Sequence, residues 1–143
     1  MRSNWLLLSS ALLLAWAAAD ADAAGYLGRR AEKLPPLQIG IGEDGYGMEP
    51  KRYELETGKG YKLDVISTGN VECELVMHEF MDNVWLRMIQ AGEVEFKVPY
   101  VSVFELDDEG EFRMIFVPIR PGEYEFACEG LEKLGLVGTF VVK

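Results

Sequence analysis

From residue 37 onward, the chain is a succession of short runs in which apolar and polar residues alternate, separated by turns rich in Gly and Pro. A period of two is typical of a strand with one buried face, because successive side chains point to opposite sides. Runs recurring about every 8–12 residues favour an antiparallel sandwich or barrel. Only residues 80–90 and 130–134 could carry a helical turn. The extended runs are residues 37–41, 53–55, 61–66, 71–80, 94–98, 101–104, 112–117, 124–128 and 139–142.

Composition restricts the class of protein further. The 143 residues include 14 Lys and Arg against 24 Asp and Glu, which gives a formal charge of −10. This balance opposes binding to nucleic acid or anionic lipid, since both attract positively charged surfaces. A chain of this length is expected to form one domain. With one His and two Cys, it can form at most one disulfide, and a site with several histidines from one chain is excluded.

The first residues have the layout of a secretory signal. Arg2 precedes an apolar run over residues 5–19, and small residues follow it. A charged start, a short apolar stretch and a small-residue exit are typical of a cleaved signal, whereas the alternative, a membrane anchor, needs about 20 apolar residues. We expect residues 1–23 to be a signal peptide, residues 24–36 a flexible lead-in, and the exported protein to be periplasmic with no membrane span.

Three segments of the chain resemble the cupredoxins. Residues 116–128 resemble the strand that leads to the copper cysteine of that family, with a Pro-Gly turn followed by Tyr-x-Phe-x-Cys. Residues 135–142 resemble its closing strand, and residues 37–66 have the order of its opening strands. The resemblance implies an all-β, cupredoxin-like Greek-key β-sandwich of about seven to eight strands over residues 37–143.

The same resemblance implies an incomplete copper site. Cupredoxins hold a blue copper ion with two His, a Cys thiolate and a weak axial Met. In this chain Cys128 matches the Cys, and His78, near the end of an earlier run, matches the first His. The second His and the Met fall on Leu131 and Leu136, whose side chains have no lone pair. We therefore do not expect this chain alone to make an intact blue copper site.

The candidate metal ligands are Cys128 and His78, with Met77, Met81 and Glu129 as weaker candidates, and copper is the candidate cofactor. Thiolate, imidazole and thioether groups suit copper. Each residue also has a structural alternative. Cys128 could be a small buried core residue, His78 an exposed or hydrogen-bonded side chain, the methionines core packing, and Glu129 part of a solvated acidic rim.

A disulfide between Cys73 and Cys128 is a further alternative, because exported proteins fold under oxidising conditions. If His78 marks the copper end of its strand, Cys73 lies five residues back, which is ~16 Å along an extended chain. A disulfide requires Cα atoms within ~7 Å. On the cupredoxin alignment the disulfide is therefore disfavoured, unless the strand register differs from the one assumed.

Function is indicated only weakly by the sequence. It contains no P-loop, dinucleotide-binding glycine pattern, zinc-binding His pair or Cys-x-x-Cys, and we expect the protein not to be an enzyme. The leading hypothesis is copper handling, either binding or delivery, through a non-blue site. The alternatives are a metal-free interaction or assembly module, motivated by Leu131 and Leu136, and electron transfer through a modified mononuclear copper site. The expected partner is another periplasmic protein or a second copy of this chain.

Overall fold

The computed structural model describes residues 25–143 as two β-sheets that enclose one core. The predicted signal peptide, residues 1–23, lies outside the described residues. The strands are β1 (Glu32–Lys33), β2 (Leu37–Ile41), β3 (Gly47–Glu49), β4 (Arg52–Leu55), β5 (Tyr61–Thr68), β6 (Cys73–Val76), β7 (Val84–Ala91), β8 (Val94–Phe96), β9 (Val103–Leu106), β10 (Glu109–Pro118), β11 (Gly122–Cys128) and β12 (Val137–Val142).

The helical elements are short. One α-helical turn, α1 (His78–Met81), joins β6 to β7, and 3₁₀ turns cover Leu27–Arg30 and Glu132–Leu134. Within residues 25–143, no helix has the length and apolar character needed to cross a membrane.

The two sheets confirm the predicted β-sandwich, but they are mixed and not antiparallel throughout, because β2 pairs with β5 and β4 with β12 in parallel. One sheet has the order β3-β2-β5-β10-β7-β8, with β1 pairing β5, and the other has the order β4-β12-β11-β6-β9. The described part of the chain contains twelve strands, more than the seven to eight predicted. The difference arises in part from β1 and β3, which have two and three residues and are too short to show an alternation.

Strand β7 lies where a helical turn was considered possible, and that interpretation is wrong for most of residues 80–90. Val84, Leu86 and Met88 are buried, whereas Trp85 between them is 44% exposed. Burial alternates with a period of two in this part of β7, but the outward-facing position 85 carries an apolar side chain. The alternation of hydrophobicity is therefore lost, and β7 could be recognised only from its pairing with β10.

The segment before residue 37 is part of the sandwich. Residues 24–36 were expected to be a flexible lead-in, but β1 pairs in parallel with the start of β5. The Leu34 N–H donates to the Lys62 carbonyl oxygen at 3.0 Å, and the Leu34 side chain is buried. The domain therefore begins before residue 37, because the edge beside β5 is long enough to pair both β1 and β2.

Aromatic rings fill the space between the sheets. Phe140 of β12 stacks on Phe80 of α1 with ring centroids 4.1 Å apart, and lies 4.7 Å from Phe126 of β11. All three side chains are fully buried. Burying a Phe side chain stabilises a fold by roughly 1.5–3 kcal/mol, and such ring pairs add to this. The helical turn α1 thus turns Phe80 inward at the point where β6 ends.

Tyr124 fixes the turn that leads into β11. Its hydroxyl donates to the Arg120 carbonyl oxygen at 3.0 Å, and its ring lies 5.8 Å from that of Phe80. The Pro-Gly turn recognised in the sequence is therefore tied to the strand that follows it. This strand carries Cys128 at its other end.

One partly buried ion pair joins β5 to β10. Asp64 and Arg113 are directly opposite in the strand register, and the guanidinium donates through Nε and Nη2 to both carboxylate oxygens. The Asp64 side chain is only 15% exposed. The hydrogen bond from Arg113 lowers the pKa of the Asp64 carboxyl below its ordinary value. Bidentate geometry and partial burial make this pair stronger than an exposed one.

We predict that Asp64→Asn destabilises the protein at neutral pH and does so less in acid. A carboxyl whose pKa is lowered by folding contributes stability that is present above its unfolded pKa, near 3.8, and is lost as the pH falls through the folded pKa. Urea denaturation midpoints of the unmodified protein and of Asp64→Asn at about pH 7 and pH 3 measure this. The difference between the two midpoints should be smaller in acid. Asp107→Asn, at an exposed position, is the control. A difference in midpoint that is the same at both pH values would contradict the prediction.

Gly138 of β12 provides a test of the core. A Cβ at this position would overlap the Phe126 ring and the Lys51 carbonyl oxygen. We predict that Gly138→Ala lowers the free energy of unfolding by about 1–3 kcal/mol, as overpacking does. Gly110→Ala in β10 is the matched control, because a Cβ there meets no atom within 4 Å, and it should change stability by less than about 0.5 kcal/mol. If urea denaturation gives the same loss of free energy of unfolding for both variants, the core relieves the overlap of the added Cβ with Phe126, and the prediction is contradicted.

Candidate functional site

The two cysteines form a disulfide. Cys73 is the first residue of β6 and Cys128 the last of β11, and their Cα atoms are 5.0 Å apart. Both side chains are almost completely buried. The interpretation that disfavoured this bond is therefore wrong.

The register between β6 and β11 explains the error. The two strands are antiparallel, with Cys128 opposite Leu75. The chain that continues past Cys128 moves back along β6 towards Cys73 and away from His78. The alignment assumed that Cys128 and His78 share one end of the sandwich. Instead, Leu75 precedes His78 by three residues, which is ~10 Å in extended chain.

The disulfide changes what Cys128 can do. The thiolate is the form of cysteine that binds metals, and a sulfur bonded to Cys73 does not supply one. The expected role of Cys128 as a thiolate ligand is therefore contradicted in the disulfide-bonded protein. Of the alternatives considered for this residue, the disulfide is the one that occurs.

His78 lies on the surface at the start of α1. Its Nδ1 atom is 3.5 Å from the Tyr100 hydroxyl oxygen. The imidazole borders a cleft of ≈ 380 Å³ that is also lined by Glu79, Glu125 and Glu132. The structure therefore places His78 beside carboxylates, outside the disulfide region.

Of the three weaker candidates, Met77 lines the same cleft as His78, whereas Met81 and Glu129 do not. Met77 and Met81 are 2% and 3% exposed and belong to the core. Glu129 is exposed, and its backbone N–H donates to the Glu74 carbonyl oxygen, which extends the β6–β11 pairing. No group of three or more His, Cys, Asp and Glu side chains within residues 25–143 is arranged to hold a metal ion.

Leu131 and Leu136 pack inward and close the loop after Cys128. Leu136 has no exposed surface, and Leu131 packs against the core. The Cys128 N–H donates to the Leu136 carbonyl oxygen at 2.9 Å, and the Leu131 N–H donates to the Cys128 carbonyl oxygen at 2.9 Å. The expectation that Leu136 offers a contact surface is therefore wrong.

These residues do not fit a type 1 copper ion. The thiolate is consumed in a disulfide, and the positions of the second His and the Met carry leucines that pack into the core. The remaining imidazole, His78, lies on the surface. A blue copper centre needs all of these ligand types at one place.

An apolar groove with a volume of ≈ 530 Å³ lies between the edges of the two sheets. Phe96 of β8 and Tyr100 line it and are 48% and 40% exposed. Sequence reasoning missed the groove because β8 and β9 were interpreted as ordinary strands. A signal was present, since residues 98–101 contain no charged residue although connections between strands are usually polar.

Comparison with known proteins identifies the fold. No protein-family model and no curated protein sequence matches the chain, but solved structures do. A multicopper oxidase from Campylobacter jejuni matches with a TM-score of 0.54, 14% identity, and coverage of 79% of this chain and 30% of its own. A multicopper oxidase from Pediococcus acidilactici matches with a TM-score of 0.58 and 10% identity, over 80% of this chain and 27% of its own. McoA multicopper oxidase from Aquifex aeolicus matches with a TM-score of 0.56 and 13% identity, over 81% of this chain and 30% of its own.

This chain has a cupredoxin-like fold. The resemblance found in the sequence is thereby confirmed for the fold. The chain spans about three tenths of the length of the matched oxidases. Their identities with it are 14% or lower, so the likeness establishes the fold alone.

The comparison contradicts the expectation that the protein is not an enzyme. The matched structures are multicopper oxidases, so this cupredoxin-like fold occurs in enzymes. The expectation depended on the absence of local catalytic motifs. A search for local motifs does not detect a copper-dependent oxidase site, because the ligands of the copper come from residues distant in sequence.

We predict that reducing the disulfide lowers the free energy of unfolding by about 4 kcal/mol, the chain-entropy value for a closed loop of this size, since the cysteines are 55 residues apart. Urea denaturation with and without a thiol reductant measures the loss. The Cys73→Ala/Cys128→Ala double variant is the control, because the reductant should not change its stability. Two free thiols in the unreduced, denatured protein would show that the disulfide is absent.

Proposed function

We propose that this is an exported, cupredoxin-fold binding module that recognises another periplasmic protein and, in its disulfide form, holds no blue copper. The observation that carries the proposal is the Cys73–Cys128 disulfide. It occupies the one sulfur that the fold would otherwise offer to copper, and it joins β6 to β11 through the core.

Packing around the disulfide supports a scaffold role. The loop after Cys128 is closed by hydrogen bonds to Leu131 and Leu136, and the adjoining core contains stacked rings such as Phe126 and Phe140. A rigid sandwich whose interior is fully packed can present its surface residues in a defined arrangement. Such a surface can bind another protein without a metal ion or cofactor.

The compartment is part of the proposal. Disulfides persist in oxidising compartments such as the bacterial periplasm, and the apolar run over residues 5–19 is typical of a secretion signal. Both features support export. We therefore propose that its partner is another protein of the same compartment.

Copper handling remains the second candidate, in the reduced protein. A dithiol reductant that transfers two electrons and two protons to the disulfide would convert Cys73 and Cys128 into two thiols whose Cα atoms are 5.0 Å apart. Paired soft sulfur ligands select Cu(I). This form of copper handling uses both cysteines and does not involve His78, which differs from the site first expected. Electron transfer through a mononuclear site has no comparable support.

We predict that the disulfide-bonded exported protein retains far less than one equivalent of Cu(I) or Cu(II) and shows no thiolate-to-copper absorption band. The physical reason is the lack of a thiolate. Metal content after gel filtration and the absorption spectrum measure both. His78→Ala should behave like the unmodified protein. Retention of one equivalent by the disulfide form would overturn the proposed function.

The same titration after anaerobic reduction tests the second candidate. One equivalent of Cu(I) that is lost in both Cys73→Ala and Cys128→Ala, but kept in His78→Ala, would establish a reduction-dependent copper site. Far-ultraviolet circular dichroism must show that each variant remains folded. No retention in the reduced protein would exclude copper handling and leave the binding module.

A further inference from the structure

The apolar groove lies between two strand edges. β8 is the outermost strand on one side of its sheet, and β9 is outermost in the other sheet, so within residues 25–143 neither is paired on its outer side. Phe104 of β9 stacks on Phe112 of β10 with ring centroids 4.3 Å apart, which links the two sheets within the groove. An unpaired edge can accept an extended segment through backbone hydrogen bonds.

The lining of the groove is suited to side chains of a protein segment. Ser102, Glu105 and the Tyr100 hydroxyl are its polar groups, and the rest of the lining is apolar. An apolar lining with few polar groups also suits a small molecule, but this groove adjoins the outer edges of β8 and β9, whose backbone groups can pair with an extended chain. The edges therefore favour an extended segment that contributes one or two apolar side chains.

The charge around the groove specifies the partner further. Residues 91–113 carry seven carboxylates and two basic side chains. Of the two, Arg113 is engaged by Asp64, and Lys97 lies 3.9 Å from Glu95. The surroundings of the groove are therefore negative. A second copy of this chain would bring the same negative surroundings, and the exported residues 24–143 carry a formal charge of −9, from 13 Lys and Arg against 22 Asp and Glu, so self-association is opposed by repulsion.

Building on the proposed function, we propose that this groove binds an extended segment of a partner protein in which one or two apolar side chains are flanked by Lys or Arg. The apolar side chains contact Phe96 and Tyr100, the basic side chains face the surrounding carboxylates, and the segment pairs with an outer edge. Apolar contacts then give affinity, and the charges give orientation and select the partner.

The test uses a synthetic decapeptide in which Leu, Val and Phe alternate with Lys, and the same peptide with Glu in place of Lys. Fluorescence anisotropy gives the dissociation constants, and amide chemical shifts of the exported, disulfide-bonded protein locate the peptide. We expect the Lys peptide to shift groove residues and to bind more weakly at high salt. Phe96→Ala and Tyr100→Ala should each weaken binding about tenfold.

Tyr46→Ala is the matched control, because Tyr46 is 39% exposed, against 40% for Tyr100, and does not line the groove. It should leave binding unchanged. The proposal is overturned if the Glu peptide binds equally well, if the shifted amides lie away from the groove, or if neither peptide binds. It is also overturned by a concentration-dependent dimer that Phe96→Ala abolishes. None of these results alters the copper titration, so failure of the groove and failure of the proposed function are distinguishable.

Discussion

The antiparallel register of β6 and β11 governs one end of this sandwich. Because Cys128 pairs with Leu75, its sulfur lies beside Cys73, and the two close a disulfide across 55 residues. The loop that follows is then held by backbone hydrogen bonds to Leu131 and Leu136. Positions that resemble a copper loop in the sequence are thus used for covalent closure and packing. A register in which Cys128 faced His78 would have allowed a different chemistry.

The fold does not depend on a metal for its interior. Phe80, Phe126 and Phe140 form a stacked set between the sheets, and the leucine at position 136 is fully buried among the core residues. The aliphatic side chains at positions 131 and 136 add apolar contacts, whereas polar ligands at these positions would need hydrogen-bonding or metal partners. A cupredoxin-like fold can therefore form without a complete copper ligand set, because a fold carries a site and does not define it.

Two neighbouring parts of the described region differ physically, although Cys73 pairs directly with Leu106 of β9. At the disulfide, the side chains are buried and the backbone groups are paired. Along β8 and β9 the sheets end without partners, and apolar residues such as Phe96 remain 48% exposed. In the matched oxidases the region of this fold is part of a longer chain, of which it makes up 27–30%. An exposed apolar edge is a natural place for such a domain to contact another protein.

The sequence by itself determined that the chain forms a β-sandwich, because the alternation of apolar and polar residues in runs such as 61–66 is a local property. It also determined that the residues at 131 and 136 cannot bind copper, because side-chain identity suffices for that conclusion. Only the tertiary structure decided the disulfide, the burial of Leu34 and the position of β7. Each depends on which strands pair and in what register, and a shift of one residue reverses the two faces of a strand.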